Sequence, residues 1–338
     1  MSDEASFIAR MRAIATHSAA RGLMDDAAIL PRPEGAVVLT HDMLVEGVHF
    51  LPDDPAESVA WKLLAVNLSD LAAKGAKPLG VLVGYGLGNM EGLGSDSAWD
   101  MGFAAGLGNA LAHFDVPLLG GDTVQMPANA PRTLGLTAIG AAPATGSPER
   151  NGAQAGDMLF VTGTIGDAGA GLALLTGQEG ADLPPAAKEA LIAAYRLPQP
   201  QMALGQAIAP TVTAMADISD GLLIDAQRIA QASGCTIRLN LDVMPLSSAY
   251  IALRGNSSSS RIAAATAGDD YQLLFTAPAE KAETIASLIN EQGGTVRAIG
   301  QCATATPQSP QLVVEYKGTP VTLPARLGFE HGTAATPK

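Results

Sequence analysis

The segment ADISDGLLID, Ala216–Asp225, places the carboxylates Asp217, Asp220 and Asp225 among apolar residues, with no Lys or Arg between them. Like charges at short range repel, and a buried carboxylate without a partner is costly. Either the segment is exposed or a positive species that the chain does not encode sits there. Other acids share the pattern. Asp42 follows the strand-like run AVVLT, Asp122 follows VPLLGG, and Asp217 closes VTAMAD. Asp25 and Asp26 stand between Gly22 and the apolar AAIL. Strand ends are where ligand-binding groups collect. Asp70 continues the helical stripe of Val59, Leu63 and Val66, where a charge should be paired or on a metal.

Each acid alone has a plainer reading. Asp70 and Lys74 can form an i,i+4 ion pair, Ser219 or Asp220 can cap a helix starting near Gly221, and Asp42 and Asp122 can be turn residues. Asp225, one turn further on, reads as a surface residue rather than a ligand. Taken together the acids favour hard cations. Magnesium suits oxygen ligands without a Cys/His constellation, and it usually brings a phosphate partner. The run VTGTIGDAGAGLALL, residues 161–175, is strand, glycine turn, then helix. Such a turn can offer backbone N–H groups to phosphate, although flexibility alone also explains the glycines. It is neither a Walker A motif nor a clean GxGxxG.

The elements that must position these acids alternate. Residues 58–76 have helical periodicity and stop at Gly75. PLGVLVGYGL and RTLGLTAIGAA read as strands, and residues 99–113 as a helix. A Pro/Gly/polar stretch at 142–157 is the best domain boundary. Beyond it MLFVTGT, VTAMAD, TIRLNLDV, YQLLFTA and GTVRAIGQC read as strands, GLLIDAQRIAQAS as a helix ending at Gly234, and SSSS (257–260) as a loop. GYGLGNMEGLG (84–94) reads as a loop and GTAATPK as a frayed tail. The expectation is two α+β or α/β domains, residues 1–145 and 146–338.

The chain has 338 residues and a net charge of -13, which argues against nucleic acid or an anionic membrane as the main partner. No apolar run approaches the ~20 residues needed to span a bilayer. The start MSDEASFIARMRAIA does not read as a signal peptide. Cys235 and Cys302 give neither zinc spacing nor a disulfide framework and read as buried thiols. The expected setting is cytoplasmic.

In order, MDDAAIL, THDMLVEGVHF, AVNLSDLAAKGAKP, LLGGDTV, VTGTIGDAGAGLALL, DISDGLLIDAQRIA, GDDYQLLFT and GFEHG resemble the thiamine-monophosphate kinase family, of the aminoimidazole ribonucleotide synthetase-like superfamily. The match runs from about residue 22 to 332. The resemblance implies an N-terminal mixed-sheet ATP-binding α+β domain, a C-terminal α/β domain, and a homodimer built on the N-terminal domains. It implies transfer of the γ-phosphoryl group of ATP to thiamine monophosphate, assisted by several magnesium ions and without a covalent phosphoenzyme. By motif, Asp26, Asp42, Asp70 and Asp122 would hold magnesium, with Thr40 by side chain and His41 by backbone. Asp217 and Asp220 would add ligands from the second domain. Asp42, Asp122 and Asp220 would organise the transfer. Gly121, Asp122, Arg150 and Ser219 would contact ATP, and His49, Asp269 and Phe329 would contact thiamine monophosphate.

The chain departs from the family pattern at three places. Met24 stands where the first acidic motif usually has Gly, and Asp269 and Gln272 replace the two Glu residues of the usual GEDYEL. Sibling enzymes fit less well. A selenophosphate synthetase would need a reactive residue near the N-terminus, and no Cys precedes Cys235. The hydrogenase-maturation sibling would end in Cys, whereas this chain ends Pro337-Lys338. A non-catalytic nucleotide-binding protein would not need the acids of both domains.

Overall fold

The computed structural model describes residues 3–87, 97–127, 129–180, 182–306 and 308–330. Most of the 84–94 segment, and the tail from residue 331 with the end of GFEHG, lie outside them. The chain divides into two compact units, with the change at Ala141/Ala142 and with Ala72–Ala76 belonging to the second.

The first unit carries α1 (Asp3–Ile14), β1 (Val37–Val45), most of α2 (Ala56–Ala73), β2 (Lys77–Leu87), α3 (Ser97–Phe114), β3 (Leu118–Gln125) and β4 (Thr133–Ala141). Its sheet runs β1-β4-β2-β3. It is mixed: β4 is antiparallel to β1 and β2, and β3 is parallel to β2. Val81, Val83, Leu134, Leu136 and Ala138 are buried, as are Leu63, Leu64, Leu68 and Leu71 of α2. On β2, Tyr85 stacks on Phe7 of α1 at 4.3 Å, and its hydroxyl donates to Asp100 of α3 at 2.6 Å. The other sheet face is open. Val37, Leu39, Met43, Leu82 and Val124 are exposed there.

The second unit carries β5 (Met158–Thr162), α4 (Asp167–Leu175), α5 (Pro185–Arg196), α6 (Met202–Ile208), β6 (Ala214–Asp217), α7 (Leu222–Ser233), β7 (Cys235–Asn240), α8 (Ser248–Arg254), α9 (Ser258–Ala265), β8 (Leu273–Ala277), α10 (Ala282–Glu291), β9 (Val296–Thr304), β10 (Leu312–Tyr316) and β11 (Thr319–Pro320). The sheet order is β11-β10-β7-β9-β5-β8-β6, again mixed. Both faces are covered. Leu159, Val161 and Leu274 enter one core with Leu222 and Ile229 of α7, whereas Phe160, Leu273 and Phe275 enter another with Ile285 and Ile289 of α10. Strands buried on both sides have no polar face, which is why MLFV and LLF are continuous apolar runs. Cys235 and Cys302 are buried free thiols.

Three local expectations are corrected. Asp42 and Asp122 lie inside β1 and β3 rather than after them. The serine run opens α9: Ser257 accepts the N–H of Ser260, as an N-cap serine does. Asp225 is 1% exposed and is not a surface residue.

Candidate functional site

In the first unit, sheet register sorts the expected ligands. Asp42 is opposite Leu136, Leu136 opposite Val83, and Val83 opposite Gly121. Asp122 is one residue further, in the row of Met43. Directly opposed residues share a face and successive residues alternate, so Asp42 and Asp122 project from opposite faces. Thr40 shares the face of Asp42, and its hydroxyl donates to Asp70 of α2. Asn67, one turn earlier on α2, accepts the Asp42 N–H at 2.9 Å. Asp26 and Asp122, with His41 and Gly121, line a cavity of about 870 Å³ on the open side. The four carboxylates therefore form two pairs of locations rather than one cluster. Among the described residues no three His, Cys, Asp or Glu side chains form a ready metal cage.

The same cavity separates the roles of neighbouring acids. Asp25 pairs with Arg21, whose guanidinium holds the Asp25 carboxyl below its usual range, and it also accepts the Asp26 N–H at 2.9 Å. Met24 sits at φ -107°, ordinary backbone that needs no glycine. Gly121 has a steric reason: a Cβ there would fall 2.0 Å from the Val83 carbonyl oxygen. His49 accepts the Val45 N–H on Nδ1 at 3.0 Å, which leaves Nε2 to carry the ring proton.

In the second unit, three distant segments meet on one loop. Asp217 ends β6 and is buried. Ile218 donates to the Gln272 carbonyl at 2.9 Å and accepts the Tyr271 N–H at 2.8 Å. Ser219 O accepts the Asp269 N–H at 2.8 Å, and Asp220 O accepts the Phe329 N–H at 2.9 Å. Asp217, Ser219 and Asp220 are thus joined through the main chain to Asp269 and Phe329. Asp269 and Tyr271 hold φ of 61° and 49°. Such strain costs about 1–3 kcal/mol each and persists only when the surroundings over-determine it. The Tyr271 hydroxyl donates to Asp269 at 3.1 Å. Gln272 turns inward, taking the hydroxyl of buried Thr162 at 3.0 Å.

The ADISDGLLID segment has a cation from within the chain, three residues beyond its end. Arg228 Nη1 donates to Asp220 at 2.7 Å and to Asp225 at 2.8 Å. Burial pushes the Asp225 carboxyl up to about 6, outweighing the opposite pull of Arg228. Arg150 adds a weaker electrostatic pull in the same direction as Arg228. Arg228 was missed although its spacing of three from Asp225 is a helical pair.

The glycine turn after β5 takes the plainer reading. The Gly166 N–H donates to Asp270 Oδ1 at 2.8 Å, so that donor already serves a carboxylate. Gly171 packs α4 on α5: a Cβ there would lie 2.0 Å from the Leu191 carbonyl oxygen. Asp270 Oδ2 is buried without a hydrogen-bond partner, and burial raises this carboxyl well above its usual range. A raised folded value makes stability fall as pH climbs from the unfolded value, 3.8, toward the folded one. Asp270→Asn is expected to keep the Gly166 bond and flatten that slope. Asp270→Ala orphans the Gly166 N–H and is expected to cost about 1–3 kcal/mol. Thermal unfolding across this pH range checks both.

Residues 24–142 match the AIR synthase related protein N-terminal domain, and residues 154–308 match its C-terminal domain. The thiamine-monophosphate kinase of Caulobacter vibrioides is 40% identical over 314 residues, 92% of this chain and 85% of that protein. The chain belongs to the thiamine-monophosphate kinase family. The crystal structure of the family member from Stenotrophomonas maltophilia K279a superimposes with a TM-score of 0.79 at 33% identity, covering 93% of this chain and 96% of that one. A structure of AaThiL complexed with AMPPCP and TMP gives 0.73 at 29% identity, covering 91% of each. The two-domain, mixed α/β architecture expected of a thiamine-monophosphate kinase is the one observed.

Proposed function

We propose that this chain catalyses ATP-dependent phosphorylation of thiamine monophosphate to thiamine diphosphate. The likeness to thiamine-monophosphate kinases over 92% of the chain carries the reading. A phosphate oxygen of thiamine monophosphate attacks the γ-phosphorus, the bond to the bridging oxygen breaks, and ADP leaves. Both reactants are anions, so positioning and charge neutralisation dominate over covalent chemistry. Magnesium, when bound, offsets the charge of the phosphates. The donor set fits it: all-oxygen carboxylates and a hydroxyl, dispersed as expected for ions that keep water and take phosphate ligands.

Thr40, Asp42 and Asp70 hold cation on one side of the first sheet, with the His41 backbone carbonyl as a further ligand. Asp26 and Asp122 do so in the cavity, where Gly121 approaches ATP. Asp217 and Asp220 supply the ligands of the second unit. Arg150 and Ser219 contact ATP, and His49, Asp269 and Phe329 contact thiamine monophosphate. Residues 1–145 form the nucleotide and metal domain in this reading, residues 146–338 the second domain, and the setting is cytoplasmic. Among the described residues no helix is long and apolar enough to cross a membrane.

The test is formation of thiamine diphosphate and ADP from ATP and thiamine monophosphate, with Mg2+ and with EDTA. Matched, magnesium-dependent products are expected. ATP hydrolysis without thiamine diphosphate would move the reading to another acceptor, and no turnover would favour a binding protein.

The open sheet face pairs with a second copy in this reading. Leu39 is 66% exposed there, beside Val37 and Met43. Apolar side chains exposed along one sheet face suit such an interface. Leu39→Glu is expected to convert a dimer to a monomer, read by light scattering on a sizing column. An unchanged dimer mass would remove this face as the interface.

A further inference from the structure

We propose that Asp225 and Arg228 are positioning residues that set both the backbone and the carboxylate of Asp220. The contacts form a closed ring. Asp225 Oδ2 accepts the N–H groups of Asp220 and Gly221, each at 3.3 Å. Asp225 Oδ1 accepts Arg228 Nη1 at 2.8 Å, and the same nitrogen reaches Asp220 Oδ2 at 2.7 Å. One carboxylate therefore grips the main chain of Asp220 directly and its side chain through Arg228.

Asp225 is placed for holding rather than for binding. It lies in the first turn of α7, 1% exposed, with both oxygens engaged inside the ring. Asp220 is more open, and its Oδ1 makes no hydrogen bond or ion pair among the described residues. Two carboxylates share one guanidinium, so the ring keeps a net negative charge, and Asp220 Oδ1 is the oxygen that can present it. Asp220 also carries the Phe329 N–H on its carbonyl, so a shift of Asp220 is transmitted to that segment. Partners that orient a metal-binding carboxylate are commonly worth about 10- to 100-fold in affinity or activity.

The inference rests on the reading of Asp220 as a cation ligand, and the experiment separates the two. Mn2+ serves as the probe, its binding to the full chain with AMPPCP followed by electron paramagnetic resonance, alongside kcat and KM with Mg2+. Arg228→Gln and Asp225→Asn are each expected to weaken Mn2+ binding about 10-fold or more and to lower kcat more than they raise KM for thiamine monophosphate. Arg228→Lys, which keeps the charge but loses the planar fork, is expected to recover part of the loss. In an Asp220→Asn background, Arg228→Gln is expected to add nothing, because the partner it orients is gone.

If Arg228→Gln and Asp225→Asn bind Mn2+ normally while Asp220→Asn does not, the positioning role is overturned and the ligand reading stands. If Asp220→Asn itself binds and turns over normally, the ligand reading fails and takes the inference with it. Should Arg228→Gln not fold, Asp225→Asn, nearly isosteric and still able to accept the two N–H groups, decides the matter alone.

Discussion

Asp217→Asn is expected to lower kcat for thiamine diphosphate formation about 100- to 1,000-fold, the scale seen when one preorganised charge-stabilising group is removed. Asp217 is 3% exposed at the end of β6, and β6 is paired with β8 through Asp217 opposite Leu273. The side chain is therefore aimed by a strand rather than by a mobile loop. Asn keeps the size and one oxygen but cannot supply the charge that a hard cation needs. The loop beyond is held by main-chain bonds from Tyr271, Asp269 and Phe329, none of which the substitution touches. Unfolding temperature should stay within a few degrees of the parent while turnover collapses. Asp70→Asn tests the other unit, since Asn can still accept the Thr40 hydroxyl. Near-normal turnover in either variant would remove that residue from the set of cation ligands.

Gly121→Ala is expected to damage both stability and nucleotide use. The added Cβ meets a backbone carbonyl at 2.0 Å, so no rotamer change relieves the clash. Val83 and Gly121 are register partners, and β3 must move away from β2 to admit a methyl group. Overpacking of this kind costs about 1–3 kcal/mol, and strand displacement carries Asp122 out of the cavity it lines. The expected result is an unfolding temperature several degrees lower and a KM for ATP raised about 10-fold or more. A variant with parental stability and parental KM would show that the strands part without cost and that the glycine has no role at this position.

Much of the architecture was legible because burial writes itself as pattern. The stripe of α2 and the apolar runs of β5 and β8 reported their environments directly. Other features were hidden for identifiable reasons. AVVLT reads as a strand that ends at Thr40, yet β1 continues through His41 and Asp42 to Val45: His41 falls on the open face, and the Asp42 N–H on this edge strand is taken by Asn67. The separation of Asp42 from Asp122 is a matter of register across four neighbouring strands, which no local spacing carries. Asp225 misled because an acid on a helix is usually solvated, and only its bonds to Asp220, Gly221 and Arg228 make burial tolerable. The serine run was read by composition, whereas one residue of it, Ser257, acts as a cap.

The main-chain lacing around Ser219 and Asp220 has a consequence for divergence. Asp269 and Phe329 are anchored by their N–H groups, bonds that a change of side chain at either position leaves available. Shortening Glu to Asp at 269 changes how far a carboxylate reaches while leaving its attachment point in place. On the proposed role of Asp269, reach toward the acceptor would then change by substitution without moving that attachment point. On that reading, attachment and reach are separate properties of the segment, and one would be free to change while the other stays fixed.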